Sequence, residues 1–187
     1  YRAALDAGRP TPYECLVTLP SGATLWQGGW FTPLHDGGVF LGMLCSVEDI
    51  SARKETEERV NELNRNFVAF LESTRDFIYF KDIDSRIRFC SQTMARITGH
   101  GNWRDLVGKH DREVFPPETA RIYEEEEREI FEEGKSLLDR IDPYYDAEGK
   151  PGWVSTNKWP LIDDQGRVVG LFGISTDITA RRRTEAE

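Results

Sequence analysis

Short runs in the second half of the chain alternate between apolar and polar residues, and turn-forming residues separate the runs. This pattern predicts strands, because successive side chains along a strand point to opposite faces of a sheet. The predicted strands are 77–81, 86–91, 138–145, 152–161 and 168–177. Between the second and third of them, helices are predicted at 92–98, 102–107 and 117–134. This order predicts an α+β fold in which helices cover one face of an antiparallel sheet.

Residues 51–73 contain neither proline nor glycine and are rich in Glu, Arg, Lys and Asn, which predicts one continuous helix. Its apolar positions, Val60, Leu63, Phe67 and Phe70, are spaced by three, four and three residues. That spacing is typical of a short coiled coil and predicts a homodimer through the helix and the domain surface. In the alternative interpretation, the same stripe packs on the domain that follows.

An internal repeat relates the two halves of the chain. Residues 49–57 read DISARKETE and residues 177–185 read DITARRRTE, at an offset of 128. Upstream of these segments, Trp26 and Trp153 also match, with one residue of slippage. The repeat predicts the C-terminal half of a domain at 1–50, a linker helix at 51–73, a complete domain at 74–179 and the start of an output helix at 180–187.

The composition predicts a folded domain with a packed core, since 39% of the 187 residues are apolar and the chain has 10 Phe and 5 Trp. A net charge of −9 argues against binding to nucleic acid or to an anionic membrane. The three cysteines are few and widely spaced, which suits the reducing cytoplasm. No run of residues is long and apolar enough to span a bilayer, so we expect membrane attachment only through segments outside this chain.

Three stretches resemble the PAS domain, the sensor fold of bacterial and other signalling proteins. The first is DFIYFKD at 76–82 with residues 87–99, and the second runs from 108 to 116. The third runs from Trp153 to the Asp-Ile-Thr signature at 177–179, which the first copy repeats as Asp-Ile-Ser. The resemblance implies a five-stranded antiparallel sheet in the order 2-1-5-4-3, with a cavity between the sheet and the helices.

The resemblance also implies a function. We expect a sensory and dimerisation module of a bacterial signal-transduction protein, in which the signal leaves through the terminal signature into a helix. The parent protein is expected to be a sensor histidine kinase, and the alternatives are a second-messenger cyclase or phosphodiesterase, or a redox or gas sensor. We expect no catalysis by this chain itself. A bound cofactor is not expected, although some members of the family hold haem, flavin or small metabolites.

The signature has a physical rationale of its own at both of its positions, Asp49 with Ser51 and Asp177 with Thr179. A hydroxyl at the point where a strand becomes a helix can accept a hydrogen bond from an N–H of the first helical turn. A carboxylate nearby favours the positive end of the helix. A shift of the last strand would then move the helix, which predicts signal transmission, whereas an ordinary helix cap is the alternative.

Aromatic and polar residues of the strands and helices are the candidate lining of a ligand pocket. They are Tyr79, Phe89, Met94, Phe115, Tyr123, Tyr144, Trp153, Ser155, Asn157 and Trp159. Core packing alone is the alternative for most of them. Ser155 and Asn157 alternate with Val154 and Thr156, so only one of these two pairs can face the cavity, and the pattern leaves open which one.

The sequence offers little for a metal or haem site. The long predicted helix contains no histidine, so His110, just before it, is the one candidate haem ligand, and a surface histidine is the alternative. The acidic run Glu124-Glu125-Glu126-Glu127 spreads around more than one helical turn, so it predicts a solvated face rather than a metal site. Glu127 lies closest to the apolar stripe. A metal-dependent enzyme is the rival class, and no catalytic motif supports it.

Overall fold

A computed structural model of the protein describes residues 1–185, which form two compact units that divide after Arg65. The first unit contains helix α1 (Arg2–Ala7) and strands β1 (Thr11–Thr18), β2 (Thr24–Asp36), β3 (Val39–Cys45) and β4 (Glu48–Asp49). Its antiparallel sheet has the order β1-β2-β3, and the short β4 pairs with β2. Helix α1 ends at Gly8, whose positive φ of 60° suits glycine.

Helix α2 (Ser51–Ser73) runs without interruption for 23 residues, as its composition predicts. It begins directly after β4 and leads into the second unit. No helix among residues 1–185 combines the length and the apolar character that crossing a bilayer requires.

The second unit is built on a five-stranded antiparallel sheet. Its elements are β5 (Phe77–Asp82), β6 (Ile87–Cys90), α3 (Gln92–Ile97), a 3₁₀ turn (Trp103–Leu106), α4 (Asp111–Val114), α5 (Pro117–Glu133), β7 (Leu137–Tyr145), β8 (Pro151–Ile162), β9 (Val168–Asp177) and α6 (Thr179–Glu185). The strand order is β6-β5-β9-β8-β7, so the α+β prediction and the 2-1-5-4-3 order are confirmed. The predicted helix 102–107 is only the 3₁₀ turn, and α1 and α4 were not predicted. Of the output helix predicted at 180–187, the last two residues lie outside the described part of the chain.

The core of the second unit lies between the sheet and its helices. Ile87, Met94, Leu106, Ile130 and Leu171 are all buried there. Because β5 and β9 are adjacent, the ring of Tyr79 lies directly over Gly173. A Cβ at position 173 would approach that ring to 2.2 Å, so a side chain there would displace the tyrosine.

Candidate functional site

The first exit from strand to helix is held by a set of backbone and side-chain hydrogen bonds. The backbone N–H of Trp26 donates to Ser51 Oγ at 2.9 Å, and the N–H of Ser51 donates to Asp49 Oδ1 at 2.9 Å. The N–H of Ile50 donates to the carbonyl of Trp26 at 2.8 Å. These bonds tie the first residue of α2 to the middle strand of the first sheet.

The second exit repeats this arrangement. The N–H of Trp153 donates to Thr179 Oγ1 at 2.8 Å, the N–H of Thr179 donates to Asp177 Oδ1 at 2.8 Å, and the N–H of Ile178 donates to the Trp153 carbonyl at 2.8 Å. We call each set an exit latch: Trp26, Asp49 and Ser51 form the first, and Trp153, Asp177 and Thr179 form the second. The two latches agree to within 0.1 Å in each bond.

The bonding differs in one respect from the sequence-based prediction. The hydroxyl was expected to accept from the first turn of its own helix, but it accepts from the strand tryptophan instead. The reason is that Ser51 and Thr179 are themselves the first helical residues, and their N–H groups are satisfied by the aspartates. The hydroxyl is thereby left to join strand to helix.

Both aspartates of the exit latches are held in the ionised form. The backbone N–H of Ser51 lowers the pKa of Asp49, and the serine side chain adds to this effect. Partial burial alone would raise the pKa of Asp177, but hydrogen bonds from Thr179 and from the Tyr144 hydroxyl, at 2.9 Å, lower it overall. A carboxylate near the first turn of a helix also stabilises the positive end of the helix.

A basic side chain covers the tryptophan of each latch. The ammonium of Lys54 lies 5.0 Å from the ring centroid of Trp26, and the guanidinium of Arg182 lies 4.2 Å from that of Trp153. Both residues are the fourth of their helix, counted from the latch hydroxyl residue. Each exit helix is therefore fixed to its strand by a cation–π contact as well as by the latch.

A cluster of buried charges lies on the inner face of the second sheet, towards the helices. Lys81, Asp111, Glu127 and Lys158 are each at most 3% exposed. The ammonium of Lys81 donates to Asp111 Oδ2 and to Glu127 Oε1, the latter at 2.6 Å. The ammonium of Lys158 lies 3.3 Å from Glu127 Oε1 and 3.0 Å from Glu126 Oε2. We call these four residues, with Glu126 at the rim, the inner charge cluster.

Four separate elements build the inner charge cluster. Lys81 on β5 and Lys158 on β8 point to the same face as the core because of strand alternation. Glu127 lies on α5 between Tyr123 and Ile130, at helical spacings that place all three on the buried face. Asp111 is the first residue of α4. The predicted solvated face of the acidic run is therefore wrong for Glu127.

The pKa of each buried charged group is set by the balance between burial and the charges of its neighbours. Burial would lower the pKa of Lys81 and Lys158, but Glu127 and the nearby carboxylates raise it overall. Burial would raise the pKa of Glu127, but the two lysines lower it. The pKa of Asp111 is raised, with burial as the largest cause and Lys81 as the main opposing one. Asp111 is thus the poorly compensated member.

The predicted pocket residues fall on two different faces of the second sheet. Val154, Thr156 and Lys158 are the buried, inward-facing residues of β8, so Trp153, Ser155, Asn157 and Trp159 lie on the outer face. On the inner side are Tyr79, Met94, Phe115, Tyr123 and Tyr144. Lys81 lies 5.2 Å from the Tyr79 ring and Lys158 lies 5.0 Å from the Tyr123 ring. The predicted set therefore does not form one site.

An aromatic row crosses the outer face of the sheet. Trp159, Phe172, Phe80 and Phe89 are paired in register on four adjacent strands. Trp159 stacks on Phe172 and Phe172 stacks on Phe80, with centroids 5.0 and 5.6 Å apart. Asn157, on the same face, accepts a hydrogen bond from the N–H of Asp139 at 2.9 Å.

Comparison with known proteins assigns this architecture. A family model described as the PAS fold matches residues 71–183, which is more than half of the chain. The chain belongs to the PAS family. The match covers the last residues of α2, the whole five-stranded sheet with its helices, and the second exit latch.

Curated relatives of this PAS chain include sensors. It is 28% identical over 116 residues to the aerobic respiration control sensor protein ArcB of Escherichia coli, covering 62% of this chain and 14% of ArcB. It is 29% identical over 115 residues to the methanogenesis regulatory histidine kinase FilI of Methanothrix harundinacea, covering 62% and 13%. The chain therefore corresponds to a small part of each of these relatives.

Solved structures show the same fold at lower identity. The PAS domain of BvgS from Bordetella pertussis has a TM-score of 0.50 at 23% identity, covering 70% of this chain and 96% of that one. The Vibrio cholerae VqmA dimer has a TM-score of 0.56 at 21% identity, covering 62% and 52%.

The four residues of the predicted dimer stripe lie in two different environments. Within the predicted dimer stripe, Phe67 contacts the outer aromatic row, with its ring 5.7 Å from Phe80 and 5.4 Å from Phe89. Val60, Leu63 and Phe70 are 58%, 63% and 51% exposed. The packing alternative thus accounts for Phe67 alone.

His110, the candidate haem ligand, lies at the start of a helix. Its Nδ1 accepts a hydrogen bond from the N–H of Arg112 at 3.3 Å, and its own N–H donates to Glu113 at 2.8 Å. His110 therefore caps α4, directly before Asp111. Among the described residues, no group of three or more His, Cys, Asp or Glu is arranged to hold a metal ion.

Proposed function

We propose that the chain is a sensory module of a signal-transduction protein, and that the second exit latch passes the state of the PAS domain to α6. The observation that carries the proposal is the repeated latch: two strand-to-helix exits use the same three kinds of bond at equivalent positions. Because the latch hydroxyl joins the strand backbone to the helix, a displacement of β8 or β9 is transferred to the first helical turn. The names of ArcB and FilI support a parent of the sensor histidine kinase class.

The transmission role is tested by asking whether α6 responds to a distant change in the core. In the intact chain, Met94→Ala loosens the buried core on the helix side of the sheet. We expect hydrogen exchange at the amides of α6 to become faster in this variant. The effect is expected to be much smaller when the latch has first been removed by Thr179→Val.

The matched control is Thr179→Ser, because the first latch uses serine at the equivalent position. This variant is expected to transmit the effect of Met94→Ala as the unchanged chain does. If the exchange of α6 changes equally with threonine, serine or valine at position 179, the latch does not couple the domain to the helix and the proposal fails.

We also propose that residues 1–50 correspond to the last three strands of a second PAS domain, with 51–73 as the linker helix. The register supports this: β2 and β3 pair Leu34 with Gly42, and β8 and β9 pair Leu161 with Gly170. Each of these leucines lies eight residues after its latch tryptophan. The two hairpins therefore have the same pairing register relative to their exit latches.

A homodimer through α2 is the remaining part of the proposal. Val60, Leu63 and Phe70 are exposed at heptad spacing, and a second copy of the helix would cover them. Sedimentation velocity is expected to show a dimer that Leu63→Glu converts to a monomer. Asn64→Glu, an added charge at the next exposed position, is expected to leave the dimer intact. A monomer in the unchanged chain, or equal effects of both variants, would contradict the pairing.

A further inference from the structure

The inner charge cluster contains more carboxylates than its buried ammonium groups can fully satisfy. Asp111, Glu126 and Glu127 share two buried ammonium groups, those of Lys81 and Lys158. Arg140 lies 3.6 Å from Glu126, but this guanidinium is half-exposed, so solvent weakens its field at the core. A carboxylate without full compensation is costly when it is removed from water.

The hydrogen bonds show which carboxylate is least satisfied. Glu127 accepts hydrogen bonds from the ammonium groups of Lys81 and Lys158 and from the hydroxyl of Ser85, the last at 3.3 Å. In the described part of the chain, Asp111 accepts a hydrogen bond only from the ammonium of Lys81, on Oδ2, and it shares that ammonium with Glu127. Its other oxygen, Oδ1, is buried and has no hydrogen-bond partner among residues 1–185. Glu126 Oε1 also lacks a hydrogen bond there, but it lies 3.6 Å from the Arg140 guanidinium, whereas Asp111 Oδ1 has no such cation beside it.

We propose that Asp111 is a proton-binding site, and that the proton is the ligand recognised on the inner face of this PAS domain. The inference rests on the proposed sensory role and names its stimulus. With a proton on Asp111, Glu127 no longer competes with a second carboxylate for the ammonium of Lys81. Without that proton, two carboxylates repel each other across Lys81, at the point where α4 begins.

The groups facing Asp111 come from three elements. They are Tyr79 and Lys81 on β5, Tyr123 and Glu127 on α5, and Lys158 on β8. Burial raises the pKa of both tyrosines, so they stay neutral, and the lysines and Glu127 stay charged. Asp111, whose pKa is raised, therefore keeps its proton to a higher pH than Glu127, whose pKa is lowered.

The sign of the linked stability follows from the raised pKa of Asp111. The folded protein binds this proton more tightly than the unfolded chain, where an aspartate has a pKa of about 3.9. The contribution to stability is complete below that value and is lost as the pH rises through the folded pKa.

The test is a carboxyl carbon NMR titration of the intact chain between acid and mildly alkaline pH, with the Asp111 resonance assigned from its backbone. We expect a midpoint above the ordinary aspartate value of about 3.9 and within the titrated range. A midpoint at or below the ordinary value overturns the proposal. A resonance that keeps the position of the protonated acid throughout would show that the proton is never released and would also overturn the proposal. Either outcome leaves the exit latch untouched, because latch coupling is measured separately by exchange in α6.

A second measurement uses Asp111→Asn, which has the shape of the protonated acid. As the pH rises from about 3.9 into the alkaline range, the Tm of this variant is expected to rise relative to that of the unchanged chain, by about 3 °C or more. Asp164→Asn, an exposed carboxylate in a turn, serves as the control and is expected to show no such shift. If Asp111→Asn lowers Tm equally at every pH, Asp111 is an ordinary ionised partner of Lys81 and the proposal fails.

Discussion

At the first exit, a carboxylate on the neighbouring strand contacts the start of the helix, whereas at the second exit an apolar residue takes its place. Glu14 on β1 lies 2.6 Å from Arg53 and 2.5 Å from Lys54 of α2. β1 pairs Glu14 with the residue two positions after Trp26, and β7 pairs Ile141 with the residue two positions after Trp153. Ile141 is therefore the equivalent of Glu14, and it is 50% exposed.

The two exits share the hydrogen bonds of the exit latch, and the first exit has the Glu14 ion pairs in addition. The exit latch is the same in both places, so it is the part that joins a strand to a helix. The Glu14 ion pairs occur at the first exit only and are exposed, which means that water and salt weaken them. Together Lys54 and Arg53 lower the pKa of Glu14 to about 2, which keeps it ionised at neutral pH.

The inner faces of the two hairpins differ more strongly. Lys158 lies five residues after Trp153, and the equivalent position after Trp26 is Phe31. Lys158→Met makes the second hairpin apolar at this position, like the first. We expect it to lower the free energy of unfolding by about 3 kcal/mol, because Glu127 and Glu126 lose a buried ammonium. Chemical denaturation followed by near-ultraviolet circular dichroism measures this loss.

Lys150→Met is the control for that experiment, since Lys150 is exposed in the turn before β8. It is expected to change the stability very little. If the two variants have equal effects, the buried lysine does not stabilise the second unit. The difference between Lys158 and Phe31 in the two hairpins then has no effect on the free energy of unfolding.

Much of the fold could be predicted from local patterns. The strands of the PAS domain follow from alternation between turn residues, and α2 follows from its composition. Helices α1 and α4 have only six and four residues, which is too short for a helical period to be recognised. The residues of the exit latches were found through the repeat. The donor that reaches each hydroxyl was not, because it depends on how the strand and helix meet in space.

The inner charge cluster shows where prediction from sequence ends. Lys81 and Lys158 are single charged residues on strands far apart in the chain, and a lone polar residue in a strand normally marks the solvent face. The alternation on β8 defined two sets of residues but left open which one faces the core. Only Glu127, from its position beside the apolar stripe of α5, gave a hint of burial. Burial of the cluster depends on four elements meeting, which no single segment encodes.

The carboxylates of the two latches should titrate in parallel if the exits are equivalent. The pKa values of Asp49 and Asp177 are both lowered, so their contribution to stability is complete above about pH 3.9 and is lost as the pH falls through the folded values. The amide resonances of Ser51 and Thr179 report these titrations directly, since each N–H donates to its aspartate. We expect both midpoints to lie below the ordinary aspartate value.

Asp49→Asn serves as the control, because it should abolish the titration of the Ser51 amide and leave that of Thr179 unchanged. A midpoint at the ordinary value for only one of the two amides would show that the latches differ in strength, despite their equal bond lengths.

The smallest expected effect comes from exchanging the residues that distinguish the exits. Glu14→Gln is expected to speed hydrogen exchange in the first turn of α2 by less than about twofold, and high salt should remove the difference. Ile141→Glu should give α6 a slight, salt-sensitive protection, because it places a carboxylate where Glu14 lies at the first exit. Ser51→Ala, which removes the latch hydroxyl, is the reference for a larger effect. If Glu14→Gln speeds exchange as much as Ser51→Ala does, the ion pairs rather than the latch hold α2, and the shared geometry of the two exits would no longer explain how either helix is fixed.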